Sequence, residues 1–472
     1  MAAPGVLYKN LILIQWIYHR IWVSFSQIKK IIIMRSIFLY MLLLLLPIHA
    51  SAQKALLQSG PMVGYSQMLE VALWVQTKEP AKVQIAYWEQ GNPTQRMLTD
   101  PMRTEKASAF TAKLFADKVQ PGKIYDYQLL INDKPIAFDY PTTFKTQTLW
   151  QWRTDAPDFK VAVGSCSYVN DPPYDRPGTP YGGEYDIFTN IHKMRPDVML
   201  WLGDNVYLRE ADWYSRTGIM YRYTHSRSLP ELQPLLASAH HYAIWDDHDF
   251  GPNDSDGSFP MKETTLEAFR LFWANPTSGI NGQPGITSHF QWNDIDFFLL
   301  DNRYHRNADL RRSGERAMLG KEQIEWLIDG LVNSRAPFKM IAIGGQVLST
   351  SPVHENYIHF YPEERAYLLR RIEEENIKNV IFLTGDRHHT ELDRYINATG
   401  NVVYDLTVSP LTSGFARNVE TNNTFRIEGT LVTQRNFGLL EFSGKQDERM
   451  LTIRIFAANG QELWNQVIKS QQ

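Results

Sequence analysis

The sequence predicts a layered α/β core preceded by an all-β sandwich of fibronectin type. Two observations carry this. From Phe159 onward, short and almost wholly apolar runs recur at 160–164, 198–202, 242–245, 297–300, 340–343 and 380–383, with helix-like stretches such as 265–273 and 321–332 between them. Strands that are apolar on both faces and alternate with helices belong to sheets covered on both sides. Before residue 150 the pattern is different. Leu69, Val71, Leu73 and Val75 alternate with Glu70, Ala72, Trp74 and Gln76, Val83, Ile85 and Tyr87 alternate in the same way, and Pro121-Gly122-Lys123 marks a turn before another such run. Short alternating strands with turn signals read as a sandwich.

Taken in order, residues 1–52 read as a leader. Met34-Arg35 opens a basic start, Ile37 to Ile48 is an apolar run, and Ala50-Ser51-Ala52 gives a small-residue cleavage pattern before Gln53. That order is a secretory signal peptide, with Met34 as the true start. An uncleaved anchor is the competing reading, but the run is short for a spanning helix. The expected product is an exported protein, periplasmic or extracellular, with no stable membrane anchor. The sandwich is expected over 55–150, the α/β core over 158–400, and a C-terminal β extension completing the core over 401–472. Of 472 residues 43% are hydrophobic and 21% charged, ample for a core, and a net charge of -3 gives no sign of a nucleic-acid surface. The 13 Trp and 23 Tyr are assigned mainly to packing. Cys166 is the single cysteine, so it makes no internal disulfide.

The chemistry lies at the carboxyl end of each apolar run. The first leads into Gly164-Ser165-Cys166, the second into Gly203-Asp204-Asn205-Val206-Tyr207, the third into Asp246-Asp247-His248-Asp249. The later ones lead into Asp301-Asn302-Arg303, Gly344-Gly345-Gln346 and Thr384-Gly385-Asp386-Arg387-His388-His389. Ligands bind at the carboxyl ends of α/β strands. A single Asp there is ordinarily a turn or cap residue. Several carboxylates gathered on one rim would repel one another and hold their protons, and bound cations remove that conflict. Oxygen-rich sets suit iron(III), calcium, magnesium or manganese, whereas thiolate and imidazole favour iron or zinc.

These residues resemble a known family. Gly203-Asp204-Asn205-Val206-Tyr207 resembles the GDxxY block of purple acid phosphatases. Trp245-Asp246-Asp247-His248-Asp249 resembles the WDDHE block of the alkaline phosphatase D (PhoD-like) metallophosphatases. Ser165-Cys166 and Thr384-Gly385-Asp386-Arg387-His388 match that family's first-strand and late GDxH blocks, and the likeness spans roughly residues 55–460. It implies a metallophosphatase-type core of two sheets. It also implies that Cys166, Asp204 and Tyr207 surround iron(III), with Asp386 or His388 completing the set and Asp247 on the second metal. The first strand carries Cys166 where the wider superfamily has an Asp-x-His pair, and Gln346 stands near its metal-binding His. Both departures favour iron(III) with calcium.

The implied activity is hydrolysis of phosphate mono- or diesters by a water activated at the metals. His248 is the candidate acid or phosphoryl hydrogen-bond partner, Arg303 and Arg387 the candidates for stabilising phosphoryl charge, and Asn253 either a metal contact or a turn residue. The alternatives are a phospholipase or nucleotidase on the same core, and a secreted glycan- or protein-binding module with a degenerate core.

Overall fold

The computed structural model describes residues 16, 18–20, 22, 34 and 55–471, and the chain divides into two units, 1–56 and 57–472. In the first, the described residues from 16 to 34 are helical, with the Arg20 guanidinium 4.2 Å from the Trp16 ring centre. The leader expected over 1–52 otherwise lies outside the described residues. Among the described residues no helix is long and apolar enough to cross a membrane.

The second unit holds fifteen principal strands: β1 (Leu57–Ser66), β2 (Val71–Thr77), β3 (Thr111–Ala116), β4 (Phe159–Gly164), β5 (Val198–Leu202), β6 (His240–Ile244), β7 (Ser288–Trp292), β8 (Ile295–Leu299), β9 (Lys339–Ala342), β10 (Val380–Thr384), β11 (Glu391–Ile396), β12 (Val402–Thr407), β13 (Asn436–Ser443), β14 (Met450–Ala457) and β15 (Glu462–Lys469). They form a nine-stranded sheet, ordered β15-β14-β13-β4-β5-β6-β1-β2-β3, and a six-stranded sheet, ordered β7-β8-β9-β10-β12-β11. In the first, β4, β5 and β6 run parallel. In the second, β8, β9, β10 and β12 do. The apolar runs are these parallel strands, and β5, β6, β8, β9 and β10 are buried at every position. Such strands have no polar face because both faces are covered.

One core cluster fills the space between the sheets, including Val163, Leu200, Ile244, Phe297, Leu383 and Leu440. A second lies under helices Lys321–Asn333 and Pro362–Glu374. The first of these buries Ile324, Leu327, Ile328 and Leu331, a single stripe at helical spacing. The other begins at Pro362, whose missing N–H falls where helices leave donors unused, with Glu363 and Glu364 in the positive first turn.

The expected sandwich takes β1, β2 and β3 as one sheet. Strands Lys82–Glu89 and Ile124–Ile131, with four short partners, form the other. The first sheet is not free-standing. Strand β1 pairs in parallel with β6, Val63 beside His240, so it continues the nine-stranded core sheet. Strands β13 to β15 extend the same sheet at its other edge.

Candidate metal centre

The carboxyl ends of the two sets of parallel strands meet at glycines. A Cβ on Gly344, after β9, would lie 2.4–2.6 Å from the carboxylate of Asp246, after β6. A Cβ on Gly385, after β10, would lie 2.6 Å from the Ser165 side chain, after β4. No other residue permits that approach. The turns are correspondingly tight. Cys166 (φ 58°), Asp204 (φ 52°), Asp386 (φ 63°) and His388 (φ 56°) all occupy the left-handed region. That conformation is costly for side chains other than glycine, and it clusters at functional sites. The Asp249 carboxylate braces the rim by accepting the N–H of Asn205 and of Asp246, each at 3.1 Å.

This geometry brings all six expected ligands together. Ligand atoms of Cys166, Asp204 and His388 lie within 4.8 Å of one another, as do those of Asp204, Asp247 and His248 and those of Asp246, Asp247 and Asp386. Cys166 Sγ is 3.6 Å from Asp204 Oδ2 and accepts from Ser409 Oγ at 3.1 Å. The Tyr207 hydroxyl is 3.2 Å from Asp204 Oδ2 and 3.4 Å from His388 Nε2. His248 stacks on the Tyr207 ring at 4.2 Å and places Nε2 3.9 Å from Asp247 Oδ2. A further set, Asp247 with Asp254 and Glu355, adjoins these. Sequence reasoning did not single out Asp246, Asp254 or Glu355 as ligands. Asp246 lay inside the quoted Trp-Asp-Asp-His block, but Glu355 sits in a loop beyond β9 with no motif around it.

Electrostatics favour a cation within the set. Burial pushes Asp204 far above the usual carboxylate range, and the nearby Asp247, Cys166 and Asp246 push it further. Burial, then Asp246, Glu355 and Asp247, do the same to Asp386. Burial also raises the Cys166 thiol and the Tyr207 phenol, and lowers the His248 and His388 imidazoles. Asp247 is the exception. Burial pushes it up, but His248, Arg303 and the N–H of Asp254 outweigh that and hold it below its ordinary value. Asp246 Oδ2, Asp247 Oδ1 and His248 Nδ1 are buried with no hydrogen-bond partner. Buried polar atoms in folded proteins are almost always satisfied. Cations satisfy these and let the thiol, phenol and carboxyls ionise together. The donors, one sulfur, one phenol, imidazoles and several carboxylates, fit one softer and one harder cation.

Arg303, expected to face phosphate, is held by carboxylates. Its guanidinium is buried, 2.7–2.9 Å from both oxygens of Glu355, paired with Asp246 and 3.7 Å from Asp247 Oδ1. Most of its donors are committed, to Asp246, to Glu355 and to the Ser255 carbonyl at 3.2 Å, so it positions Asp246 and Glu355. Arg387 is paired with Glu420 at 3.1 Å. Gln346 donates to Glu391 at 2.7 Å and to Thr407 at 3.0 Å. Asn253 lines two cavities that flank the cluster. One, of about 740 Å³, is walled by Tyr168, Tyr181, Tyr207, Arg209 and His248. The other, of about 430 Å³, is walled by Asp254, Glu355, Asp386, His388 and Glu420.

A buried, cation-demanding cluster at the crest of two facing sheets defines the class of protein, and comparison with known proteins agrees. Residues 161–448 match the PhoD-like phosphatase family, and the chain belongs to it. Residues 54–149 match a domain of unknown function (DUF7800). Alkaline phosphatase D of Bacillus subtilis is 26% identical over 330 residues, 59% of this chain and 53% of the relative. The match thus spans about half the length of that curated relative. A solved structure of PhoD superposes with a TM-score of 0.71 at 16% identity, covering 89% of this chain and 93% of that one. Purple acid phosphatase PPD1 from yellow lupin (Lupinus luteus) seeds gives 0.64 at 12% identity, covering 87% and 74%. These two likenesses establish the shared fold.

Proposed function

We propose that the protein is an exported phosphoesterase that hydrolyses phosphate mono- or diesters at a centre of iron(III) and calcium. The observation that carries this is the convergence of Cys166, Asp204, Tyr207, Asp247, Asp386 and His388 within one buried cluster. Cys166, Tyr207, Asp204 and His388 would hold the iron. Asp246, Asp247 and Asp386 would hold the calcium, with Asp254 and Glu355 close by. When bound, the cations supply Lewis acidity at the phosphoryl oxygens and make a water acidic enough to attack at neutral pH.

The chain's own residues do the rest. Arg303 and Glu355 fix the Asp246 carboxylate, and Asp249 fixes the turn that presents it. His248 is buried, has Nδ1 without a partner and stands at the cavity wall. It holds a hydrogen bond to a phosphoryl or leaving-group oxygen. Tyr168, Tyr181 and Tyr207, with ring centroids 5.0–6.2 Å apart, wall the cavity with aromatic surface and limit water there. The basic start and apolar run ahead of Ala50-Ser51-Ala52 support export.

Turnover of an artificial phosphodiester and a phosphomonoester, with and without chelator, tests the reading. Metal-dependent release of the alcohol is expected. Metal-replete protein inert toward both esters would refute it. Iron(III) on the Tyr207 phenolate should also give a visible charge-transfer band that Tyr207→Phe abolishes; a colourless, iron-free, fully active enzyme would contradict that ligand.

A further inference from the structure

Arg209 stands apart from the other arginines near the centre. Arg303 is held by Asp246 and Glu355, Arg306 by Asp309 and Glu355, Arg222 by Asp171 and Asp212, and Arg387 by Glu420. Arg209 is also buried, 7% exposed, yet its guanidinium makes no hydrogen bond or ion pair among the described residues. Its Nε is a buried donor with no partner. Of the nearby acids, Asp212 is already committed to Arg222 at 2.8 Å and to the backbone N–H of Arg209 at 2.9 Å, and Glu210 to Arg176 at 2.8 Å.

The side chain is nonetheless well held. Its backbone is pinned at both ends, since its carbonyl accepts from the N–H of Asp212 at 2.7 Å and of Trp213 at 3.2 Å. The guanidinium carbon lies 5.1 Å from the Tyr168 ring centre, within cation–π range. It lines the same cavity as Tyr207 and His248, two residues along the chain from Tyr207. A buried cation without a counter-charge is costly, and proteins pair such groups. The cavity offers a place for that counter-charge. The planar fork of a guanidinium matches two oxygens of a phosphate group.

From this unpaired guanidinium beside His248 and Tyr207, we propose that Arg209 is a substrate-binding residue that clamps the phosphoryl oxygens of the ester. The proposal rests on the phosphoesterase reading above. Most Arg303 donors are held by protein oxygens, which makes Arg209 the freer arginine to meet phosphate. Tyr168 acts as the plate that orients it.

The test uses inorganic phosphate as a competitive inhibitor of the metal-loaded full chain. Arg209→Ala is expected to raise the phosphate inhibition constant and KM at least tenfold, with iron and calcium content unchanged. Arg209→Lys keeps a point charge but loses the fork, so it should recover part of the loss. It also serves where the alanine variant does not fold. An inhibition constant unchanged in both variants overturns the proposal. So does a rise matched by equal loss of bound metal, because Arg209 would then be supporting the metal site. Wild-type protein that neither binds phosphate nor hydrolyses an ester overturns the phosphoesterase reading itself, whatever the variants do.

Discussion

His248 is where a single side chain most directly meets the proposed chemistry. It stacks on Tyr207 and leaves Nδ1 buried and unused, so deleting the imidazole removes a hydrogen-bonding group from the cavity wall. His248→Ala should lower kcat by about 10²–10⁴, the usual range for a positioned acid–base or hydrogen-bonding group, with iron content kept. Full turnover in that variant would take His248 out of the mechanism. Gly344 tests the rim in the opposite way. Its Cβ would strike the Asp246 carboxylate from 2.4 Å, so Gly344→Ala must displace Asp246 or the turn. Loss of calcium affinity together with a lowered Tm is expected; native metal content and Tm would show that the rim has room to give. The expected ligands were legible as a cluster because each follows closely on an apolar strand, where chain order and position coincide. The pairing of Arg303 was not legible because its partner, Glu355, lies in a loop that nothing in the sequence ties to Asp301-Asn302-Arg303. Arg209 was passed over for the converse reason, since a missing partner leaves no mark in a sequence.

Among the elements, β11 and β12 carry a second acidic group that supports the rim without facing it. Asp393 and Asp405 are register partners on the antiparallel pair, and Glu391 lies two residues along. Like charges opposite each other across strands are destabilising. Asp405 accepts the N–H groups of Val347 and Leu348 at 2.7–2.8 Å and the Thr384 hydroxyl at 2.8 Å, so it ties the loop after β9 to the end of β10. Burial, then Glu391 and Asp405, push Asp393 up to about 8, while Asn423 and Arg426 pull the other way. Burial raises Asp405 to about 6. Glu391 falls to about 2, because His389 and Arg426 outweigh its burial. The signs differ. The stability tied to Asp393 is whole below its ordinary value of 3.8 and is lost as pH rises toward about 8. That tied to Glu391 is present above 4.5 and is lost as pH falls toward about 2. Asp393→Asn should therefore gain on the wild type as pH rises from 5 to 9, by about 1–3 kcal/mol, since each pKa unit is worth ~1.4 kcal/mol and the acids share one titration. Denaturant unfolding at the two pH values measures it; a difference that stays flat with pH would remove the buried acid as the cause. Asp393 was not legible as a buried acid, because a buried carboxylate and a solvated one look alike in sequence.

For the molecule as a whole, the sandwich and the core share one folding unit. The alternating strands before residue 150 were readable, but the joint between β1 and β6 was not: it rests on a parallel pairing of strands far apart in the chain. Met62 and Trp74, from the sandwich, belong to the same core cluster as Leu200 and Ile244. The Trp74 indole N–H donates to the Leu271 carbonyl at 2.8 Å, and its ring centroid lies 5.8 Å from that of Phe272. Arg227 lies 5.5 Å from the Trp74 ring centre and 3.9 Å from that of Trp273, a bridge between the two halves. Trp74→Ala would empty that joint, at a cost of about 3–5 kcal/mol for a large aromatic lost from a packed core. The loss should appear as one cooperative transition moved to lower temperature, monitored by calorimetry and by near-ultraviolet circular dichroism. Metal release should track it, because β6 leads straight into Asp246 and Asp247. If the variant instead unfolded in two steps, with the metals retained after the first, the sandwich would be an appended domain, and its continuity with the core sheet would contribute nothing to holding the centre.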